Sequence, residues 1–133
     1  MANYIASCRS NYFKVKDLAA FEEDMSQYEV TIVEKDDLVG ILGNDPDGGG
    51  WPSYVRNEET EDYDDVDFPL VVAAHLTEDS IAVFIEAGAE KLRYVCGNAV
   101  AFNHKGEAEY ISLYNIYDKA EQRFGIRPTP AEY

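Results

Sequence analysis

Apolar residues along the chain switch between strand-like and helix-like spacing. Residues 3 to 15, rich in Tyr, Ile, Phe and Val, read as one strand or two short ones. Asp17 then stands as an N-cap, and Leu18, Phe21, Met25 and Tyr28 follow at helical intervals. Glu22, Glu23 and Asp24 fall largely on the other side, near the helix start, where the macrodipole stabilises negative charge. Residues 29 to 34 and 38 to 42 read as a hairpin. Val30, Ile32, Leu38 and Ile41 give its apolar positions, and Glu34-Lys35-Asp36-Asp37 its turn.

The pattern breaks at residue 43. Gly43-Asn44-Asp45-Pro46-Asp47-Gly48-Gly49-Gly50 is turn chemistry throughout, and an acidic run follows. Residues 43 to 67 therefore predict a long acidic loop, pinned in part by Trp51, Tyr54 and Val55. Pro69 suits the first turn of a second helix, with Leu70, Val71, Ala74 and His75 turned inward. Ser80 to Ala87 is apolar enough for a central strand, and Gly88-Ala89-Glu90 predicts a turn. Strands are predicted over residues 91 to 96 and 98 to 102, then a turn at Asn103-His104-Lys105-Gly106 and a returning strand from Glu109 to Leu113. A last helix carries Leu113, Ile116, Tyr117, Ala120 and Phe124 on one stripe, and Pro128 and Pro130 mark residues 126 to 133 as a loose tail. The reading is one α+β domain over residues 1 to 133. An antiparallel sheet of about five to six strands carries two to three helices packed on it, with the acidic loop in the middle.

Size and composition agree with a single core: 133 residues, 46% of them apolar. The longest apolar run, Ile81 to Ile85, is too short to cross a bilayer, and the N-terminus does not predict a signal peptide. Cys8 and Cys96 have no metal or redox spacing, so a cytoplasmic protein with two ordinary thiols is expected.

Charge changes the picture most. Residues 17 to 90 hold 21 acids against Lys35 and Arg56, a balance of −19, whereas the two ends hold five acids and nine bases, or +4; together they give the net −15. The densest part, from Glu58 to Asp67, has seven carboxylates: Glu58, Glu59, Glu61, Asp62, Asp64, Asp65 and Asp67. Such a run repels nucleic acid and anionic membranes, so neither is an expected partner. It favours a basic protein surface, a divalent cation or solvent.

The motifs of chemistry fail one by one. Gly48-Gly49-Gly50 is not followed by the Lys-Ser/Thr of a phosphate loop. An EF-hand loop begun at Asp45 would place Asp47 third and Gly50 sixth, but Gly49 fifth and Arg56 twelfth, where a bidentate glutamate is needed. His75 and His104 have no second nitrogen or sulfur ligand at zinc spacing. Cys96 and His104 flank one predicted strand, and nothing local makes them a nucleophile and base. No catalytic residue, metal site or cofactor is expected.

Arg9-Ser10-Asn11-Tyr12-Phe13-Lys14-Val15-Lys16-Asp17 and Gly88-Ala89-Glu90-Lys91-Leu92-Arg93-Tyr94-Val95 resemble small acidic proteins encoded on phages, plasmids and integrative elements. The resemblance lies outside residues 43 to 66 and carries over no active-site residue. It implies a cytoplasmic protein of a mobile element; many of that kind block host defences of restriction or CRISPR type. The expected function is therefore non-enzymatic: an inhibitor that presents a nucleic-acid-mimicking acidic surface to the basic groove of a host nucleic-acid-binding protein. The seven carboxylates would supply the charge, and Trp51, Tyr54 and Tyr63 the apolar anchors. The alternative is a structural or assembly module, a homodimer or larger homo-oligomer, whose acid serves solubility; an exposed strand edge within residues 3 to 15 would favour it.

Overall fold

The computed structural model describes residues 4–43, 49–90 and 94–131. Six strands form one antiparallel sheet: β1 (Tyr4–Ser10), β2 (Val30–Lys35), β3 (Leu38–Gly43), β6 (Ala82–Glu90), β7 (Tyr94–Phe102) and β8 (Ala108–Ser112), in the order β2-β3-β1-β6-β7-β8. Two further strands, β4 (Tyr54–Asn57) and β5 (Asp62–Asp65), pair only with each other. The helices are α1 (Leu18–Met25), α2 (Phe68–Ala73) and α3 (Asn115–Phe124). The expected α+β class and antiparallel sheet are both present.

Local chemistry explains the helix starts. Asp17 caps α1 by accepting the Ala20 N–H at 3.2 Å, and Asp67 caps α2 by accepting from Leu70 at 3.4 Å, with Pro69 in the first turn. Phe21 and Met25, four residues apart, are the buried side of α1. In α2 the buried side is Phe68, Val72 and Ala73, continued by Leu76 beyond the helix end. Leu70 and Ala74, expected inside, point to solvent. A six-residue helix has one inward stripe, and Phe68 with Val72 takes it. His75 lies half-buried just past α2, and its Nε2 meets Asp24 Oδ2 of α1 at 2.7 Å, which ties the two helices together.

The core lies between these helices and one face of the sheet. Ser10 of β1 sits opposite Phe84 of β6, and Phe84 opposite Val100 of β7, so one transverse row points inward. Phe84 touches Phe102 edge-on at 4.9 Å, Phe68 at 5.6 Å, and stacks on Trp51 at 4.5 Å. The buried Ser10 hydroxyl accepts the Ile41 N–H and donates to the Asn11 carbonyl, both at 2.7 Å, so a polar group in the core is fully used. Asn11 then extends the β1–β6 ladder with its side chain: Oδ1 accepts from Val83 and Nδ2 donates to Ile81.

Several boundaries differ from expectation. β1 lies between β3 and β6 in the strand order, paired along its length with β6 and at Arg9↔Leu42 with β3; Phe13 and Val15 make isolated bridges to Val39 and Leu76. β6 runs through Gly88-Ala89-Glu90, where a turn was predicted, because β1 and β7 pair with it on both sides. A Cβ at Gly88 would collide with the Ile5 carbonyl and with Ala6, so this glycine serves close strand approach rather than a turn. Residues 91 to 93 lie outside the described residues. The turn at residues 103 to 106 forms as predicted, with Gly106 at φ 80°. The third helix is amphipathic as expected but has no buried residue, so it does not pack on the sheet. Arg127 bonds Asp118 and Glu121 at 2.8 Å each, and the Ala131 N–H bonds the Tyr117 hydroxyl, which lays the predicted loose tail back along α3.

Phe84→Ala should cost about 3–5 kcal/mol, the range for removing a buried phenylalanine. Leu70→Ala should change stability by no more than about 0.5 kcal/mol, as at ordinary surface positions. Urea unfolding of the two variants beside wild type checks both.

Candidate partner-binding site: an acidic hairpin over an aromatic cleft

Residues 43 to 67, expected as one long loop, contain an antiparallel hairpin; residues 44 to 48 of that stretch lie outside the described residues. The register is Tyr54↔Asp65, Val55↔Asp64, Arg56↔Tyr63 and Asn57↔Asp62. Tyr54 and Tyr63 are diagonal neighbours on one side, and their rings meet edge-on at 5.2 Å. On the other side Asn57 Nδ2 donates to Asp64 at 3.0 Å. The connection is built from side-chain bonds: Asn57 Oδ1 accepts from Glu59 and Thr60, and Thr60 Oγ1 accepts from Asp62. Glu61 takes a left-handed conformation at φ 57° to close it. The Val66 N–H to Ser53 carbonyl bond, at 2.9 Å, extends the ladder at its base. Aromatic pairing and turn chemistry here outweigh the repulsion that makes an acidic run read as loop.

All seven carboxylates are exposed, in three settings. Glu58, Glu59 and Glu61 stand at the turn. Asp62 and Asp64 share the ribbon side with Val55 and Asn57, whereas Asp65 shares the opposite side with Tyr54, Arg56 and Tyr63. Asp67 lies at the base and is engaged as the α2 cap. Among the described residues, no ion pair occupies any of the seven.

At the foot of the hairpin is a cleft of about 280 Å³ whose walls include Gln27, Tyr28, Trp51, Tyr54, Arg56 and Tyr63. Trp51 is a structural wall as well as a contact surface. It stacks on Phe84 and Phe68, and its buried indole N–H has no hydrogen-bond partner. Tyr28 packs edge-on against Phe68 at 5.1 Å. Burial, aided by the Asp24 charge, holds the Tyr28 phenol above its ordinary range.

Glu86 positions the chain entering this cleft. Its carboxylate accepts the Trp51 backbone N–H at 3.2 Å and the Tyr4 hydroxyl at 2.9 Å, and lies 3.8 Å from Cys8 Sγ. Gly50, at φ 96°, passes so close that a Cβ there would lie 2.8 Å from Glu86 Oε1. Burial, with the adjoining Glu86 charge and hydrogen bond, pushes the Cys8 thiol up to about 12 and raises the Tyr4 phenol strongly. Cys8 is thus a protonated, packed thiol. Cys96 lies on β7 and His104 in the turn beyond it, eight residues on, so the strand rise puts on the order of 25 Å between them. Among the described residues, no group of three or more His, Cys, Asp or Glu is placed to hold a metal ion. No helix among them is long and apolar enough to cross a membrane.

The structure brings Trp51, Tyr54 and Tyr63 to one cleft and spreads the carboxylates above it. Sequence reasoning missed Gln27, Tyr28 and Glu86. A lone acid within the apolar run from Ile81 to Ala87 was the available signal for Glu86. Comparison of the chain with protein-family models, with curated proteins and with solved structures finds no match.

The raised thiol and phenols set an alkaline limit. The unfolded chain ionises Cys8 near its ordinary value of 9.0, while the folded state keeps it protonated to about 12. Folding stability from this group is therefore complete below pH 9 and lost as pH rises toward 12. Thermal unfolding from pH 8 to 11 should show a falling midpoint in wild type and a shallower fall in a Cys8→Ala/Tyr4→Phe variant.

Proposed function

We propose that this chain is a non-enzymatic, cytoplasmic binding protein that presents the β4–β5 hairpin, and the cleft below it, to the basic surface of a nucleic-acid-binding protein. The observation that carries the reading is that the densest acid sits on a paired ribbon whose single base is Arg56, and no ion pair engages its carboxylates among the described residues. A paired ribbon loses less ordering entropy on binding than a free loop does. Same-side carboxylates such as Asp62 and Asp64 repeat about every 6.8 Å along the ribbon, twice the axial spacing of phosphates along one DNA strand. The cleft accepts the stem of an arginine or lysine, with Tyr28, Trp51 and Tyr54 supplying aromatic surface. The narrower form of the proposal, following the resemblance to mobile-element proteins, is an inhibitor of a restriction- or CRISPR-type host protein that competes with its nucleic acid.

A second reading, an assembly module, is supported by one specific observation: the large apolar surface left open on the far side of the sheet.

Immobilised protein should retain nucleic-acid-binding proteins from host lysate at low salt and release them as screening rises. Each retained protein should lose DNA or RNA binding when the soluble chain is added. Replacing Glu58, Glu59, Glu61, Asp62, Asp64 and Asp65 by their amides should weaken that inhibition at least about tenfold, a loss of about 1.4 kcal/mol. Equal inhibition by the amide variant would show the proposal to be wrong.

A further inference from the structure

The sheet face turned away from α1 and α2 is mostly apolar and, apart from Leu113 over Gly97, uncovered among the described residues. The register places Ile5, Ala89 and Val95 in one row and Arg9, Ile85, Ala99 and Ile111 in another. Ile85, Val95, Ile5 and Ile111 are 46%, 57%, 65% and 66% exposed. Along the strands, Glu109 is the single acid on this face among the described residues, in a chain with 26 acids. The negative charge that dominates the molecule is nearly missing here, and Arg9 and Lys35 share the face.

The second unpartnered surface is α3. Ile116 and Phe124 on its apolar stripe are 61% and 69% exposed, and no residue of the helix is buried. The helix is nevertheless held firmly at its root. The Leu113 N–H bonds the Gly97 carbonyl at 2.9 Å, the Tyr114 hydroxyl bonds the Val95 carbonyl at 3.2 Å, and the Ser112 N–H bonds Asn115 Oδ1 at 2.7 Å. The Leu113 side chain fills the space over Gly97. These contacts tie the root of α3 to β7.

The exposed area leaves room for a partner, and the kinds of surface left open decide which one. The chain exposes 9318 Å², whereas a compact monomer of its 15.0 kDa exposes about 7,000 Å². The surplus, about 2,300 Å², is shared with the projecting hairpin and the tail, and leaves room for the about 800 Å² that each partner gives to a standard interface. A bare sheet face and an unburied amphipathic helix are the two halves of one helix-on-sheet layer. Both belong to this chain, so a two-fold axis would satisfy each with the other, twice over.

We propose that the protein is a two-fold homodimer in which α3 of each copy covers the open sheet face of the other. The acidic hairpins, rooted through Trp51 on the opposite face, then lie outside the interface. The proposal is independent of what the hairpin binds.

Light scattering coupled to size-exclusion chromatography tests it on the full chain. Wild type should run with the mass of two chains, undiminished at high salt, because the interface is apolar and salt screens the −15 of each copy. Ile85→Glu on the sheet and Ile116→Glu on the helix should each give a monomer with unchanged circular dichroism. Should Ile85→Glu fail to fold, Ile116→Glu decides, since α3 contributes no buried residue. A wild-type monomer at high micromolar concentration would overturn the proposal, and so would a dimer that persists in Ile116→Glu. Amide replacement of the hairpin acids should leave the dimer intact, which separates this test from the partner-binding one; a dimer lost in that variant would also overturn it.

Discussion

The packing around Phe84 is the contact on which the rest of the structure depends. Phe84 lies on β6, the strand with β1 on one side and β7 on the other, so it occupies the middle of the sheet. From there its ring reaches Phe102 on β7, Phe68 on α2 and Trp51 at the entry to the hairpin. One side chain thereby couples the sheet, a helix and the start of the binding ribbon. Tight aromatic packing of this kind contributes beyond its buried area, through edge-to-face and offset-stacked geometry. It also explains how a chain of net −15 folds: the acids are displaced to the rim, and the middle of the packed face is aromatic and aliphatic.

The hairpin inherits its position from this core. Trp51 is clamped by its ring on Phe84 and by its backbone N–H on Glu86, and the hairpin begins three residues later. Glu86 is itself held by Tyr4, so β1, β6 and the hairpin entry share one polar knot at the side of the aromatic core. A half-buried carboxylate taking several donors is costly to leave unpaired, and here its donors come from β1 and from the hairpin entry, both distant in sequence. The acidic ribbon therefore projects from a rigid base, the condition under which a charged surface gives specificity.

The two faces of the sheet have opposite characters. One is sealed by α1, α2 and Trp51; the other carries isoleucine, valine and alanine in the open. A six-stranded sheet needs a layer on each apolar face, and the described part of this chain supplies one. The segregation of acid from the open face lowers the local repulsion that two such faces would meet on contact.

Much of the architecture was legible in the chain. The Asp17 cap with Phe21 and Met25, the hairpin of β2 and β3, the central strand and the turn at residues 103 to 106 all follow from spacing and turn chemistry, which are local. The site was legible in composition only: the seven carboxylates, Trp51, Tyr54 and Tyr63 could be named, but their arrangement could not. The ribbon could not be foreseen because its pairing rests on Tyr54 meeting Tyr63 and on side-chain bonds across the turn, against a charge pattern that reads as loop. Gly88 read as a turn because a glycine is ambiguous until its neighbours are known, and here the neighbour is the backbone of β1. The acid concentrated between mildly basic ends was determined by the sequence alone, because charge is a property of residues. Which acids face outward together, which face of the sheet stays open, and that α3 stands unburied were decided only by the tertiary structure, because those depend on pairings between residues far apart in the chain.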